Sequence, residues 1–243
     1  MSDDAKGMLF VYGECGAAVT EDEFNDWYDN EHAPARLTVP GIQTALRYRA
    51  IDHKFPQWLA AYDITDARVM QSDEYKALRT KASQNEKNII SRLSILNRQI
   101  FKLLSSTVSP SHTSDSNGKF LYVVHMNVIS TQDIEADHEA EFLKWYSETR
   151  IHLLSKVPGW VRSRVFRLED HNELAGMADK ASPLAKRAPT KFVALHEWDR
   201  EGAEVVDSTE FKECITAEQP WTTQGQKAYA EMEDRRFALY RKF

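Results

Sequence analysis

His32 is the side chain in this sequence best suited to moving a proton. An imidazole titrates near neutral pH, so it can take a proton from a phenol or an activated carbon and return it. It closes the run Phe24-Asn-Asp-Trp-Tyr-Asp-Asn-Glu-His32. Helical spacing puts Phe24, Tyr28, His32 and Arg36 on one stripe with Trp27 beside it, so His32 is expected to face the protein body. Asp29, three residues earlier, is within reach to orient the ring. Glu31 diverges from it by about 100° and reads as part of a solvated acidic face. The alternative for His32 is structural: a ring bonded to a backbone carbonyl, or one tying helix to sheet.

A second set sits on apolar runs that read as strands. Tyr62 lies in Trp58–Ile64 and His196 in Phe192–Trp198, at corresponding places; His125 is near the end of Phe120–Met126, and Tyr12 ends Met8–Tyr12. Pointing inward, two His and two Tyr can hold a phenol, polarise a carbonyl and move a proton. With the opposite parity they lie under helices, and a one-residue slip reverses the parity. Tyr12, Trp27, Trp58, Trp145 and Tyr146 are expected to form aromatic walls for substrate. An inward Arg49 would meet a substrate carboxylate, although Arg47, Arg49, Arg162 and Arg164 all fit a rim or surface better. Glu31, His32, His125, His152 and His196 have no spacing of a metal motif. Neither a phosphate loop, a dinucleotide glycine fingerprint nor a nucleophile elbow is present, so no cofactor and no metal are expected.

These residues need elements to position them, and the chain writes its elements twice. Phe24, Trp27, Tyr28, Val39, Pro40 and Gly41 recur as Phe142, Trp145, Tyr146, Val157, Pro158 and Gly159 at one constant offset. Thr20-Glu-Asp-Glu23 has capping-box spacing and opens the first helix; Pro34 is expected to kink or end it, and Pro40-Gly41 to stop it. Gln43–Arg49 alternates as a second strand, and Ser72 caps a second helix. Asn88–Leu104 fits a helix, or a helix ending in a fourth strand. The restart repeats this order: strand, helix, strand, strand, helix, strand, the ferredoxin-like pattern. The expected organisation is an N-terminal module over 1–104, a Ser/Thr-rich linker over 105–118, and a C-terminal module over 119–243 with an inserted loop at 169–190. Each module's sheet has one uncovered apolar face, so the fold class expected is α+β, with the two sheets facing each other as an intramolecular barrel.

The Phe-x-x-Trp-Tyr, His-x-Pro and Pro-Gly pattern resembles the EthD-like branch of the dimeric α+β barrel superfamily, here as a fusion of two modules. Phe24, Trp27, Tyr28, His32, Pro34, Pro40 and Gly41 carry the match in the first copy. In the second, Arg150 stands where His32 aligns and His152 lies two residues on, a departure that puts a second site in doubt. The resemblance implies small-molecule chemistry of a broad range: cofactor-free cyclases, decarboxylases, dehydratases and monooxygenases of phenolic or polyketide metabolism, muconolactone-type isomerases, haem-binding enzymes, and proteins with no known activity.

Bulk properties bound the rest. The chain has 243 residues, 42% hydrophobic and 28% charged, with a net charge of −6. That charge, without basic runs, argues against nucleic acid as partner. Cys15 and Cys214 make no disulfide framework, the first residues carry no apolar signal core, and no run is long enough to span a bilayer, so a cytoplasmic protein is expected. The primary expectation is a cofactor-independent lyase or isomerase acting on a hydrophobic polyketide or phenolic intermediate. His32 serves as acid/base, aided by Tyr28 or Tyr62 and by His125 or His196. The alternatives are a haem-dependent or cofactor-free oxidative enzyme, with His32 or His152 as haem ligand, and a non-catalytic ligand-binding or stress-response module. A monomer is self-sufficient on this plan, and a homodimer is compatible with it.

Overall fold

The computed structural model of the chain describes residues 5–111, 118–130, 135–177, 188–217, 221 and 228–243. The first strand, β1 (Gly7–Glu14), is followed by α1 (Glu21–Trp27), a π-helical turn (Tyr28–His32) and α2 (Ala33–Leu37). Then come β2 (Leu46–Ala50), β3 (Trp58–Ile64), α3 (Asp73–Thr80), α4 (Gln84–Arg92) and β4 (Ile95–Val108). The order then recurs with β5 (Phe120–Ser130), α5 (Glu135–Trp145), a second π-turn (Tyr146–Arg150), α6 (Ile151–Leu154), β6 (Trp160–Glu173), β7 (Phe192–Trp198), α7 (Gly202–Asp207), α8 (Thr209–Thr216) and β8 (Ala228–Lys242). Main-chain pairing joins the strands as β1-β3-β2-β8-β5-β7-β6-β4 and closes, giving the α+β antiparallel barrel class. Among the described residues, no helix is long and apolar enough to cross a membrane.

Two compact units divide the chain. One comprises Met1–Leu103, Phe166–Pro189 and Leu239–Phe243; the other comprises Leu104–Val165 and Thr190–Ala238. β4 and β6 are longer than the sequence suggested. β4 runs to Val108, into the expected linker, and β6 runs to Glu173, into the expected insertion. In the first case Ser105, Ser106 and Thr107, which read as linker, continue the strand at its exposed end. Residues 112–117 of that linker and 178–187 of that insertion lie outside the described residues.

In the first unit β1 pairs antiparallel with β3 and β4, and β3 with β2. One face of this sheet, carrying Leu9, Val11, Trp58, Ala60, Tyr62 and Ile64, packs under the helices against Phe24, Trp27 and Tyr28. Burying such side chains is worth roughly 1.5–3 kcal/mol each, so parity is fixed by this layer. Met8, Phe10 and Tyr12 take the other face. The Thr20 hydroxyl accepts from the Glu23 amide at 3.2 Å, as capping spacing requires, but the Glu23 carboxylate turns to Arg92 instead of closing the box.

Pro34 does not end the helix. It sits in the first turn of α2, directly after the π-turn, where a missing amide costs least. In the second unit Tyr146–Arg150 forms the same π-turn with no proline nearby, so Pro34 is not its cause.

The second unit repeats this layering. Phe120, Tyr122, Val124, Met126, Ala194 and Trp198 pack against Phe142, Tyr146, Ile151 and Leu154. β5 pairs antiparallel with β7 and β8.

Candidate functional site

The π-turn of the first unit carries Tyr28 at one end and His32 at the other, both buried. The His32 ring packs against Trp27 and Tyr28, with ring centres at 4.4 and 4.7 Å. Its Nδ1 lies 3.1 Å from Glu86 Oε1, and Glu86 Oε2 accepts from Trp27 Nε1 at 2.9 Å. Arg36 stands 3.5 Å from the same carboxylate and donates to the His32 carbonyl at 2.8 Å. Burial first, and then the charge of Arg36, bring His32 down to about 4, against the pull of Glu86. Burial raises Glu86, but the His32 hydrogen bond, the Arg36 charge and the Trp27 bond outweigh it and hold the carboxyl at about 2. A neutral ring beside an ionised carboxylate must donate from Nδ1, which leaves the lone pair on Nε2. This is the arrangement of an oriented general base.

Tyr62 donates to the Tyr28 hydroxyl at 3.1 Å, and burial holds both phenols above their ordinary value, so both remain hydroxyl donors. The structure thus brings Trp27, Tyr28, His32 and Tyr62 together under the helices. It does not give Asp29 the orienting role. Asp29 binds Arg47, and binds Arg241 Nη1 at 2.8 Å, because its position on the turn points it toward β2 and away from His32. Glu86, 54 residues away in sequence, takes that role.

Arg47 is buried rather than at a rim. It donates to Asn25 at 2.7 Å and lies over Tyr28 and Trp58 at 4.4 and 4.7 Å from their ring centres. Aromatic faces on several sides make that burial tolerable. Arg49 is exposed and pairs with Glu21 at 3.0 Å. Tyr12 lies on the face of β1 opposite the helices, edge-on to Phe10 at 4.8 Å.

His196 does not face away from its helices. It is fully buried beneath them, with Nε2 at 3.0 Å from the Tyr146 hydroxyl and Nδ1 at 2.7 Å from Ser163 Oγ. Burial first, and then the charge of Arg150, depress it to about 3. His125 is on the other face of β5, half-buried, with Nδ1 at 3.4 Å from Thr190 Oγ1. His125 and His196 therefore do not share a layer. Trp145 is half-buried and packs on Phe142 at 5.8 Å. Arg162 and Arg164 are also buried rather than superficial, both bound to Glu197. Burial pushes the Cys15 thiol up to about 12 and raises Cys214, so neither is poised as a nucleophile.

Haem does not suit the histidines considered for it. His32 is wedged between two aromatic rings with Nδ1 committed to Glu86, and His152 is exposed on α6. Among the described residues, no three His, Cys, Asp or Glu converge as a metal set.

Sequence reasoning missed Glu86, Ser163 and the charge of Arg150. Glu86 did leave a signal: Ser83 and Glu86 have capping-box spacing, and Ser83 Oγ accepts from the Glu86 amide at 2.9 Å. Its side chain, however, goes to His32 rather than back to the cap.

No protein-family model and no curated protein matches the chain in sequence. Solved structures share its fold over nearly the whole length. An anthrone oxidase-like protein is 10% identical with a TM-score of 0.50, covering 100% of this chain and 94% of that one. A proposed monooxygenase from Fusobacterium nucleatum subsp. nucleatum is 11% identical at 0.54, covering 98% and 94%. Another from Lactobacillus acidophilus NCFM is 9% identical at 0.51, covering 98% and 95%. At such identities the likeness establishes the fold: the class is that of α+β barrels built on ferredoxin-like sheets.

Proposed function

We propose that the chain is an EthD-like enzyme of two fused modules that abstracts a proton from a small hydrophobic, oxygenated substrate such as a phenol or polyketide intermediate. Its site is the helix–sheet layer of the first unit. His32 Nε2 is the base, Glu86 orients the ring and stabilises the imidazolium, and the Tyr28–Tyr62 pair donates to the developing oxyanion. Substrate reaches Nε2 when the turn Tyr28–His32 parts from β3. One observation carries the reading: the His32 Nδ1 contact of 3.1 Å to a carboxylate that Trp27 also holds. A buried neutral imidazole with a carboxylate behind it is the pairing that base catalysis uses.

The resulting enolate or phenolate has two fates. Cyclisation, dehydration or decarboxylation makes the protein a lyase or isomerase. Reaction of the same carbanion with dioxygen makes it a cofactor-free oxygenase, a reading favoured by the names of the three structural neighbours. Anthrone, whose methylene protons are acidic, separates these. In D2O the wild type is expected to accelerate methylene exchange; oxygen uptake alongside exchange selects the oxidative branch. Exchange at the wild-type rate in His32→Ala would remove the assignment.

A further inference from the structure

The second unit holds a buried cation that its described carboxylates leave uncompensated. Arg150 ends the second π-turn and is 7% exposed. Its guanidinium donates to the Cys214 carbonyl, near the C-terminus of α8, and its charge acts on the Tyr122 hydroxyl, opposing the rise that burial causes there. Nearby carboxylates are committed elsewhere: Asp234, which acts on Tyr122, pairs with Arg236 at 3.5 Å, and Glu197 is bound by Arg162 at 2.9 Å and Arg164 at 3.4 Å. The end of α8 supplies about half an elementary charge. Burying the remainder costs several kcal/mol unless an anion arrives. Arg36 of the first unit, by contrast, has Glu86 at 3.5 Å.

The Arg150 charge acts on two tyrosine hydroxyls, those of Tyr122 and Tyr146. The rings of Tyr122 and Tyr146 each lie 6.0 Å from that of His196. Tyr146, His196 and Ser163 form a hydrogen-bonded chain, and Ser163 Oγ also accepts from Trp160 Nε1 at 3.0 Å. That last bond leaves the Ser163 proton available to His196 Nδ1. Nε2–H then donates to Tyr146, whose own proton is released to a further acceptor. The chain can therefore leave the Tyr146 hydroxyl free to donate within this buried layer. It can also run the opposite way when no acceptor is present.

We infer that the layer between the second π-turn and its sheet binds a small organic anion through a carboxylate or phenolate oxygen. Arg150 is the counter-ion, and Tyr122 and Tyr146 are the hydroxyl donors. This site is separate from the base in the first unit and does not depend on it. Arg150 stands at the position that His32 holds in the first copy, so the same turn presents a base in one unit and a counter-ion in the other.

Benzoate and 4-nitrophenol are the probes, benzoate read by calorimetry and the phenol by its phenolate absorbance just below its free pKa. The wild type is expected to bind both saturably and to raise the phenolate fraction; binding of one alone selects carboxylate or phenolate as the natural group. Losing a charged hydrogen-bond partner costs roughly ten- to a hundredfold in affinity, which is the expected effect of Arg150→Met. The same variant should melt no lower than wild type, because it removes an uncompensated charge. Tyr146→Phe, which alters no charge, should weaken binding several-fold, and His32→Ala should bind as wild type. Any of three binding results overturns the inference: no saturable binding of either probe to wild type; undiminished binding in both Arg150→Met and Tyr146→Phe; or loss in His32→Ala instead, which moves the anion to the first unit. A large fall in Tm for Arg150→Met without ligand also overturns it, since Arg150 would then serve only to cap α8.

Discussion

His32 and Glu86 show how burial and pairing divide the work of one site. The imidazole is kept neutral by dehydration and by Arg36, while the carboxylate stays ionised behind it. In Glu86→Gln the amide oxygen can still accept one bond but no longer stabilises an imidazolium. Replacing the carboxylate behind a catalytic histidine by an amide costs up to about 10⁴-fold in turnover, and a loss approaching that is expected in anthrone exchange. An unchanged exchange rate would leave Glu86 only a packing role. Stability carries a pH signature as well. The unfolded chain protonates its histidines near 6.5, while the fold holds His32 at about 4 and His196 at about 3. Between those values the unfolded state binds more protons, so stability is full above 6.5 and falls as pH drops through this window. Glu86 and Glu197, held at about 2 rather than 4.5, add a further loss at lower pH. Melts across the acid range should show Tm declining below 6.5, with a shallower slope in His196→Asn. A Tm that rises on mild acidification would mean that the folded imidazoles take up protons.

At the level of elements, what was legible in the sequence is what local physics decides. Caps at Thr20 and Ser72 fall where Ser and Thr spacing puts them. The strand order and the recurring aromatic frame were likewise readable, because period and turn chemistry are local. Parity was not, since adjacent side chains alternate and only packing chooses between them. Tyr62 and His196 went under the helices because the apolar residues on their strands had to. The π-turn was also hidden: a 3.6-residue stripe and a widened turn place Tyr28 and His32 on similar faces. Such turns recur at functional sites. Removing one residue tests what it does here. Asn30 is exposed, and its amide donates to Asp26 at 2.8 Å. Deleting it should convert the turn to ordinary α-helix and rotate His32 away from Glu86. Far-UV dichroism is expected to persist while exchange activity falls at least a hundredfold, the scale of a lost general base. Full activity in the deletion would show that the turn has no part in placing the imidazole.

Across the whole molecule, composition and cysteine usage were enough to suggest a globular chain, but the membership of its compact units was beyond local reading. The first unit draws on three separated stretches, including Leu239–Phe243 at the C-terminus. Those last residues reach its site region directly. Tyr240 stacks edge-on to Trp58 at 4.9 Å and lies under Arg47 at 5.1 Å. Arg241 holds Asp29 at 2.8 Å, and the Phe243 amide donates to the Ala45 carbonyl at 3.1 Å. A chain ending at Ala238 should therefore lose an aromatic wall and one of the two cations on Asp29. Tyr240 and Arg241 are exposed, so losing an aromatic pair and a solvent-screened ion pair is worth roughly 1–2 kcal/mol, and a modest drop in Tm is expected. Exchange activity should fall with it, because Arg47 loses a face that holds it against Tyr28. Arg150 and its partners belong to the other unit, so benzoate affinity should survive at temperatures where the truncated chain stays folded. Intact exchange activity in the truncated protein would show that Asp29 and Arg47 hold the turn without the C-terminal residues, and would confine the role of Tyr240 to packing.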